Sequence, residues 1–154
     1  MILKDYQAQA IKNLADFLQL INGLGSAASG REVPDVLLVS DNAGFQAIID
    51  TKAYSRYDLP STHRDRMIYH YLPDIRNYSS SRLPIEFFSY IAGGFSNTIA
   101  HPLNEVVRLS QVNGSAMPVT VFIKMVENNA IKPYSPEEIE KIFSLNKCVN
   151  LTDL

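Results

Sequence analysis

Two aspartates and a lysine stand out for their types and spacing. Pro34-Asp35 leads into the apolar run Val36-Leu37-Leu38-Val39; Ser40, Asp41, Asn42 and Gly44 follow; a second apolar run, Phe45 to Ile49, ends in Asp50-Thr51-Lys52. Two runs rich in Val, Ile and Leu around a turn of small polar residues predict a β-hairpin. In an antiparallel hairpin the start of the first strand lies beside the end of the second, so Asp35 and Asp50 meet at its open end. Lys52 is two residues past Asp50 and therefore on the same face of an extended chain. Two carboxylates and an ammonium gathered there make a site for a divalent metal and a water nucleophile.

The remaining chain must position this hairpin. Leu3, Ala10, Ile11, Leu14, Phe17, Leu18 and Ile21 keep helical spacing and predict an amphipathic helix over 3–21, ended by Asn22, Gly23 and Gly25. Residues 26–31 are small and polar and read as a loop. After Lys52 the chain leaves the strand, and Leu59-Pro60 precedes a helix over 63–71 with Ser61 or Thr62 as its cap and a break at Pro73. Residues 84–92, with Ile85, Phe87, Phe88, Tyr90 and Ile91, read as a buried strand ended by Gly93-Gly94. Asn97 or Thr98 is expected to cap a helix through Leu103, Val106, Val107 and Leu109, with Pro102 near its first turn. Residues 119–126 fit a strand by β-branching and a helix by the spacing of Phe122, Met125, Val126 and Ala130. Ser135-Pro136-Glu137-Glu138 is a strong helix start, with Ile139, Ile142, Phe143 and Leu145 as the buried face. Residues 148–151 read as a short terminal strand.

A length of 154 residues suits one domain, 1–154, with its own core. Fourteen basic against sixteen acidic side chains give a net charge of −2, which argues against a broad basic surface for nucleic acid and requires any such binding to be local or delegated. No apolar run reaches membrane-spanning length and no secretory leader is evident, so a cytoplasmic protein with no membrane partner is expected. Cys148 is the only cysteine, which excludes an internal disulfide and a multi-thiolate metal site.

The Pro-Asp and Asp-x-Lys elements have the PD-(D/E)xK arrangement of restriction-type nucleases, and Asp50-Thr51-Lys52-Ala53-Tyr54-Ser55 followed by Tyr57-Asp58-Leu59-Pro60, Asp65 and Met67 narrows the match. The chain resembles the cleavage domains of FokI-type (type IIS) restriction endonucleases, and Ala92-Gly93-Gly94-Phe95, Arg108-Leu109-Ser110 and Asn113-Gly114-Ser115-Ala116 extend the likeness. The resemblance implies an α/β restriction-endonuclease-like core, a mixed central β-sheet flanked by helices, with a helix over 119–126. It implies a Mg²⁺-dependent endodeoxyribonuclease, Mn²⁺ substituting, that hydrolyses phosphodiester bonds without recognising sequence itself. Asp35, Asp50 and the backbone carbonyl of Thr51 would hold the metal, and Lys52 would orient or help deprotonate the water. The implied partners are double-stranded DNA, a separate DNA-recognition domain or subunit, and a second cleavage domain paired transiently through the 63–71 helix, which includes Arg64, Asp65, Arg66 and Ile68.

Departures from the family pattern are specific. Ala10 stands where the family has a glutamate, His63 where it has a glutamine, and Tyr69 where it has the arginine that pairs with the aspartate at Asp65. His63 is expected to be a solvated helix residue, and Tyr54 and Ser55 to pack or bond locally. Two rival functions share the core: a structure-selective or repair nuclease, and a DNA-binding or assembly module that has lost catalysis.

Overall fold

The computed structural model describes the backbone of residues 24–27 and residues 33–154 in full. Among these, five strands form one mixed sheet in chain order: β1 (Leu24–Ala27), β2 (Val36–Ser40), β3 (Phe45–Lys52), β4 (Ile85–Ala92) and β5 (Asn113–Pro118). The pairs β1–β2 and β2–β3 are antiparallel, whereas β3–β4 and β4–β5 are parallel. The hairpin closes as its turn residues require: Gly44 N donates to Ser40 O at 2.8 Å, Ala43 N donates to Ser40 Oγ at 3.3 Å, and Gly44 takes φ +78°, where a side chain would be strained. Each parallel step needs a crossover, and helices supply both.

The first crossover holds α1 (Ser61–Arg66), which runs on as a π-helical segment (Met67–Tyr71), and a 3₁₀ turn (Ile75–Asn77). The second holds α2 (Ala100–Ser110); α3 (Val119–Ile131), α4 (Pro136–Phe143) and a last 3₁₀ turn (Leu151–Asp153) follow β5. Alternation along the strands then builds two cores. Val36, Leu38, Ala47, Ile49, Phe87 and Ile91 pack with Phe122, Met125, Ile139 and Phe143 of α3 and α4. Leu37, Ile48, Phe88 and Tyr90 pack with Met67, Ile68, Tyr71, Leu103 and Val106 from the first two helical segments. No helix among the described residues is long and apolar enough to cross a membrane.

The hairpin, the 84–92 strand, the helix over 119–126 and the Ser135 start are as expected, the last with a full capping box between Ser135 and Glu138. Several expectations are corrected. Neither Ser61 nor Thr62 caps α1; Pro60 does, its ring fixing φ at −59° and its carbonyl accepting from His63 N and Arg64 N. Neither Asn97 nor Thr98 gives a side-chain cap to α2; a turn in which Ser96 O accepts from Ile99 N leads in, with Ile99 at the cap position and Pro102 in the first turn. Gly25, Ser26 and Ala27 belong to β1 rather than to a helix end and a loop. The 148–151 segment is not a strand: it lies beside β5 through a single bridge between Ala116 and Cys148, then turns at Asn150, which caps the last 3₁₀ turn. The expected 3–21 helix, Ala10, and the loop positions Gly30 and Arg31 lie outside the described residues.

Candidate active site

The open end of the hairpin gathers the three side chains singled out by spacing. Val36 pairs with Ile49, so Asp35 and Asp50 are the next positions outward. One Asp35 oxygen, Oδ2, accepts from Thr51 N at 2.7 Å and from Thr51 Oγ1 at 2.8 Å, which ties the first strand's start to the second strand's end. Lys52 Nζ lies 2.7 Å from Asp50 Oδ2, with both side chains largely buried. Asp50 is only 4% exposed. Burial pushes its carboxyl up to about 7; Lys52 opposes the shift, and the neighbouring Asp35 carboxyl adds to it by charge and by hydrogen bonding.

Three tyrosines surround this acid, and sequence reasoning assigned none of them to the site. Tyr90 is the direct β4 partner of Asp50, and both Tyr57 and Tyr71 feel its charge. All three phenols are held protonated, chiefly by burial and next by Asp50; Tyr71 is pushed up to about 12. The Tyr90 hydroxyl is fully buried and has no hydrogen-bond partner among the described residues. Alternation does put Tyr90 on the Phe88 face, but its place beside Asp50 depends on the register between β3 and β4, which no local pattern specifies.

Beyond the strand ends, the segments after β3 and β4 run side by side. Gly93 N donates to Tyr54 O at 2.8 Å, Tyr57 N donates to Gly94 O at 2.9 Å, and Ser96 N donates to Tyr57 O at 2.9 Å. The approach needs glycine, since a Cβ on Gly94 would stand 2.6 Å from Ser55 O. Tyr54 packs as expected, its ring stacked on Tyr57 with centroids 5.5 Å apart. His63 departs from the solvated reading: it is half-buried, and its Nδ1 pairs with the Tyr57 hydroxyl at 2.8 Å. Burial, then the charges of Lys52 and Arg66, lower its basicity. Asp65 and Tyr69 are exposed, while Arg64 reaches from α1 to Glu105 of α2 at 2.7 Å.

No three His, Cys, Asp or Glu side chains among the described residues cluster tightly enough to hold a metal alone. The donors that the hairpin end could offer a metal are the Asp35 and Asp50 carboxylates and the main chain beside them. That set suits a hard cation which keeps waters and takes one or two carboxylates beside substrate phosphate, as Mg²⁺ does. A buried carboxyl raised to about 7 beside a second carboxyl is also the local charge problem that a bound cation relieves.

A family model described as the FokI cleavage domain matches residues 10–150. The solved structure of restriction endonuclease FokI superposes with a TM-score of 0.77 at 22% identity, covering 92% of this chain and 28% of that one. The structure of restriction endonuclease FokI bound to DNA gives a TM-score of 0.77 at 23% identity, covering 94% of this chain and 28% of that one. The chain thus spans little more than a quarter of the solved chains it matches, and at this identity the likeness is one of fold. None of the curated protein sequences matches it.

Proposed function

The chain belongs to the FokI cleavage-domain family, and on that premise we propose that it is a metal-dependent DNA endonuclease domain in which Asp35, Asp50 and Lys52 carry catalysis. The observation behind this reading is the convergence of those three side chains at the hairpin's open end, with Lys52 2.7 Å from a buried Asp50. Held by Asp35, Asp50 and the Thr51 carbonyl, Mg²⁺, or Mn²⁺ in its place, would supply a water of lowered pKa and positive charge at the phosphate. Asp35 is pre-oriented for this by its two bonds to Thr51. Lys52 keeps its ammonium on the face it shares with Asp50, where it orients the attacking water and offsets charge developing on the phosphorane.

The partners in this reading are double-stranded DNA, met in the cytoplasm, and a separate recognition domain or subunit. A net charge of −2 leaves binding to a few phosphate contacts, so the chain alone should bind DNA in the non-specific range of roughly 10⁻⁴–10⁻⁶ M. Cutting both antiparallel strands calls for a second copy. With Tyr69 where the family has arginine, pairing through 63–71 needs DNA or a partner to form, and sedimentation of the free protein should report a monomer at micromolar concentration. The central test is nicking of supercoiled plasmid by the full chain with Mg²⁺, beside calorimetric titration of the metal. Nicking and metal binding that both disappear in Asp50→Ala support the assignment; near wild-type nicking by that variant rejects it.

A further inference from the structure

Tyr57 is 1% exposed, pinned by main-chain bonds to Gly94 and Ser96, and enclosed by the rings of Tyr54, Phe95 and Tyr90. Its hydroxyl is therefore fixed in direction, and it meets His63 Nδ1 at 2.8 Å. The phenol keeps its proton beside the Asp50 charge, so it can donate to Nδ1 when that nitrogen carries none. A neutral imidazole accepting at Nδ1 carries its own proton at Nε2. The ring also stacks against Tyr57, with centroids 5.9 Å apart, so it has little freedom to turn. Tyr57 in turn packs against Tyr90, the β4 partner of Asp50, with ring centroids 6.1 Å apart, which sets His63 on the border of the Asp50–Lys52 site.

We propose that Tyr57 locks His63 in the tautomer whose Nε2–H is a donor, and that this N–H binds a non-bridging oxygen of the phosphate being hydrolysed. His63 is then a further catalytic residue and Tyr57 the positioning residue behind it; the inference rests on the nuclease reading above. The role needs no proton transfer. An N–H aimed where charge develops lowers the barrier by stabilising that charge, and loss of one such donor typically costs about 10²-fold in rate. Glutamine can reproduce the arrangement, since its carbonyl accepts from Tyr57 while its amide N–H donates.

The test measures single-turnover plasmid nicking by the full chain at saturating DNA, with Mg²⁺ affinity and thermal unfolding followed in parallel. His63→Ala should lower the rate about 100-fold with metal affinity unchanged, and His63→Gln should recover it to within about tenfold. Tyr57→Phe should lose about tenfold in the His63 background and nothing further in His63→Ala. Should Tyr57→Phe fail to fold, the two His63 variants still decide the matter. Wild-type nicking by His63→Ala, failure of His63→Gln to recover, or multiplying losses in the double variant would overturn the inference while leaving the nuclease reading intact. A wild-type chain that binds no Mg²⁺ and does not nick overturns both.

Discussion

On one face of the sheet, α3 and α4 press Phe122, Met125, Ile139 and Phe143 onto Ala47, Ile49, Phe87 and Ile91. On the other, the π-helical segment and α2 press Met67, Ile68, Leu103 and Val106 onto Ile48 and Phe88, together with Tyr57, Tyr71 and Tyr90, the tyrosines that feel the charge of Asp50. The first face also buries hydroxyls, yet Ser89 and Ser115 satisfy one another at 2.9 Å. The second leaves the Tyr90 hydroxyl without a partner among the described residues and keeps an acid in a place that disfavours its charge. Both faces bury an apolar core, but the second also keeps an acid and three tyrosines in a dry setting, where electrostatic interactions are strong.

The sharpest way to break this contrast is at the hairpin end. Asp35→Ala, Asp50→Ala and Lys52→Ala should each lower plasmid cleavage by about 10³-fold or more while the circular dichroism spectrum stays that of the wild type, because several kcal/mol of charge stabilisation leave with the group. A cleaving Asp variant would remove the functional half of the comparison. On the opposite face, Phe143→Ala should cost about 3–5 kcal/mol of unfolding free energy, since Phe143 is fully buried and stacks on Phe87 at 5.1 Å. Urea denaturation measures this, and a loss below about 1 kcal/mol would show that the apolar face is not where stability resides.

Asp50 itself yields a prediction with a definite sign. Its folded value, about 7, lies above its ordinary 3.8, so folding takes up a proton between those values. The contribution of Asp50 then favours the fold at low pH and is lost as pH rises through about 7. Asp50→Asn should flatten that decline and leave the variant more stable than wild type above pH 7, by on the order of a few kcal/mol. Thermal melts from pH 4 to 8 decide this, and an Asn variant that is less stable at pH 8 would contradict it. By the same sign, Mg²⁺ affinity should strengthen as pH rises through about 7. The smallest effect belongs to Tyr90→Phe, which removes an unpartnered buried hydroxyl at constant shape and should raise stability by about 1 kcal/mol. A lower melting temperature would mean that this hydroxyl has a stabilising partner.

Local rules determined much of this protein from sequence alone. Turn residues set the hairpin, period-two alternation put Asp50 and Lys52 on one face, and Ser135 with Pro136 and Glu138 set the start of α4. Each of these depends on residues within a few positions of one another, where backbone geometry leaves little choice. Only the tertiary structure decided that Gly25-Ser26-Ala27 and Asn113-Gly114-Ser115 are strands, for such residues have weak intrinsic β preference and extend only because β2 and β4 offer unpaired edges. It alone brought Tyr57, Tyr71 and Tyr90 to Asp50 and turned His63 from a surface residue into one bonded to a buried phenol. Tyr90 meets Asp50 through the parallel register of β3 and β4, and Tyr57 is held by the close approach at Gly93 and Gly94, contacts between segments some 40 residues apart that no spacing within either segment encodes.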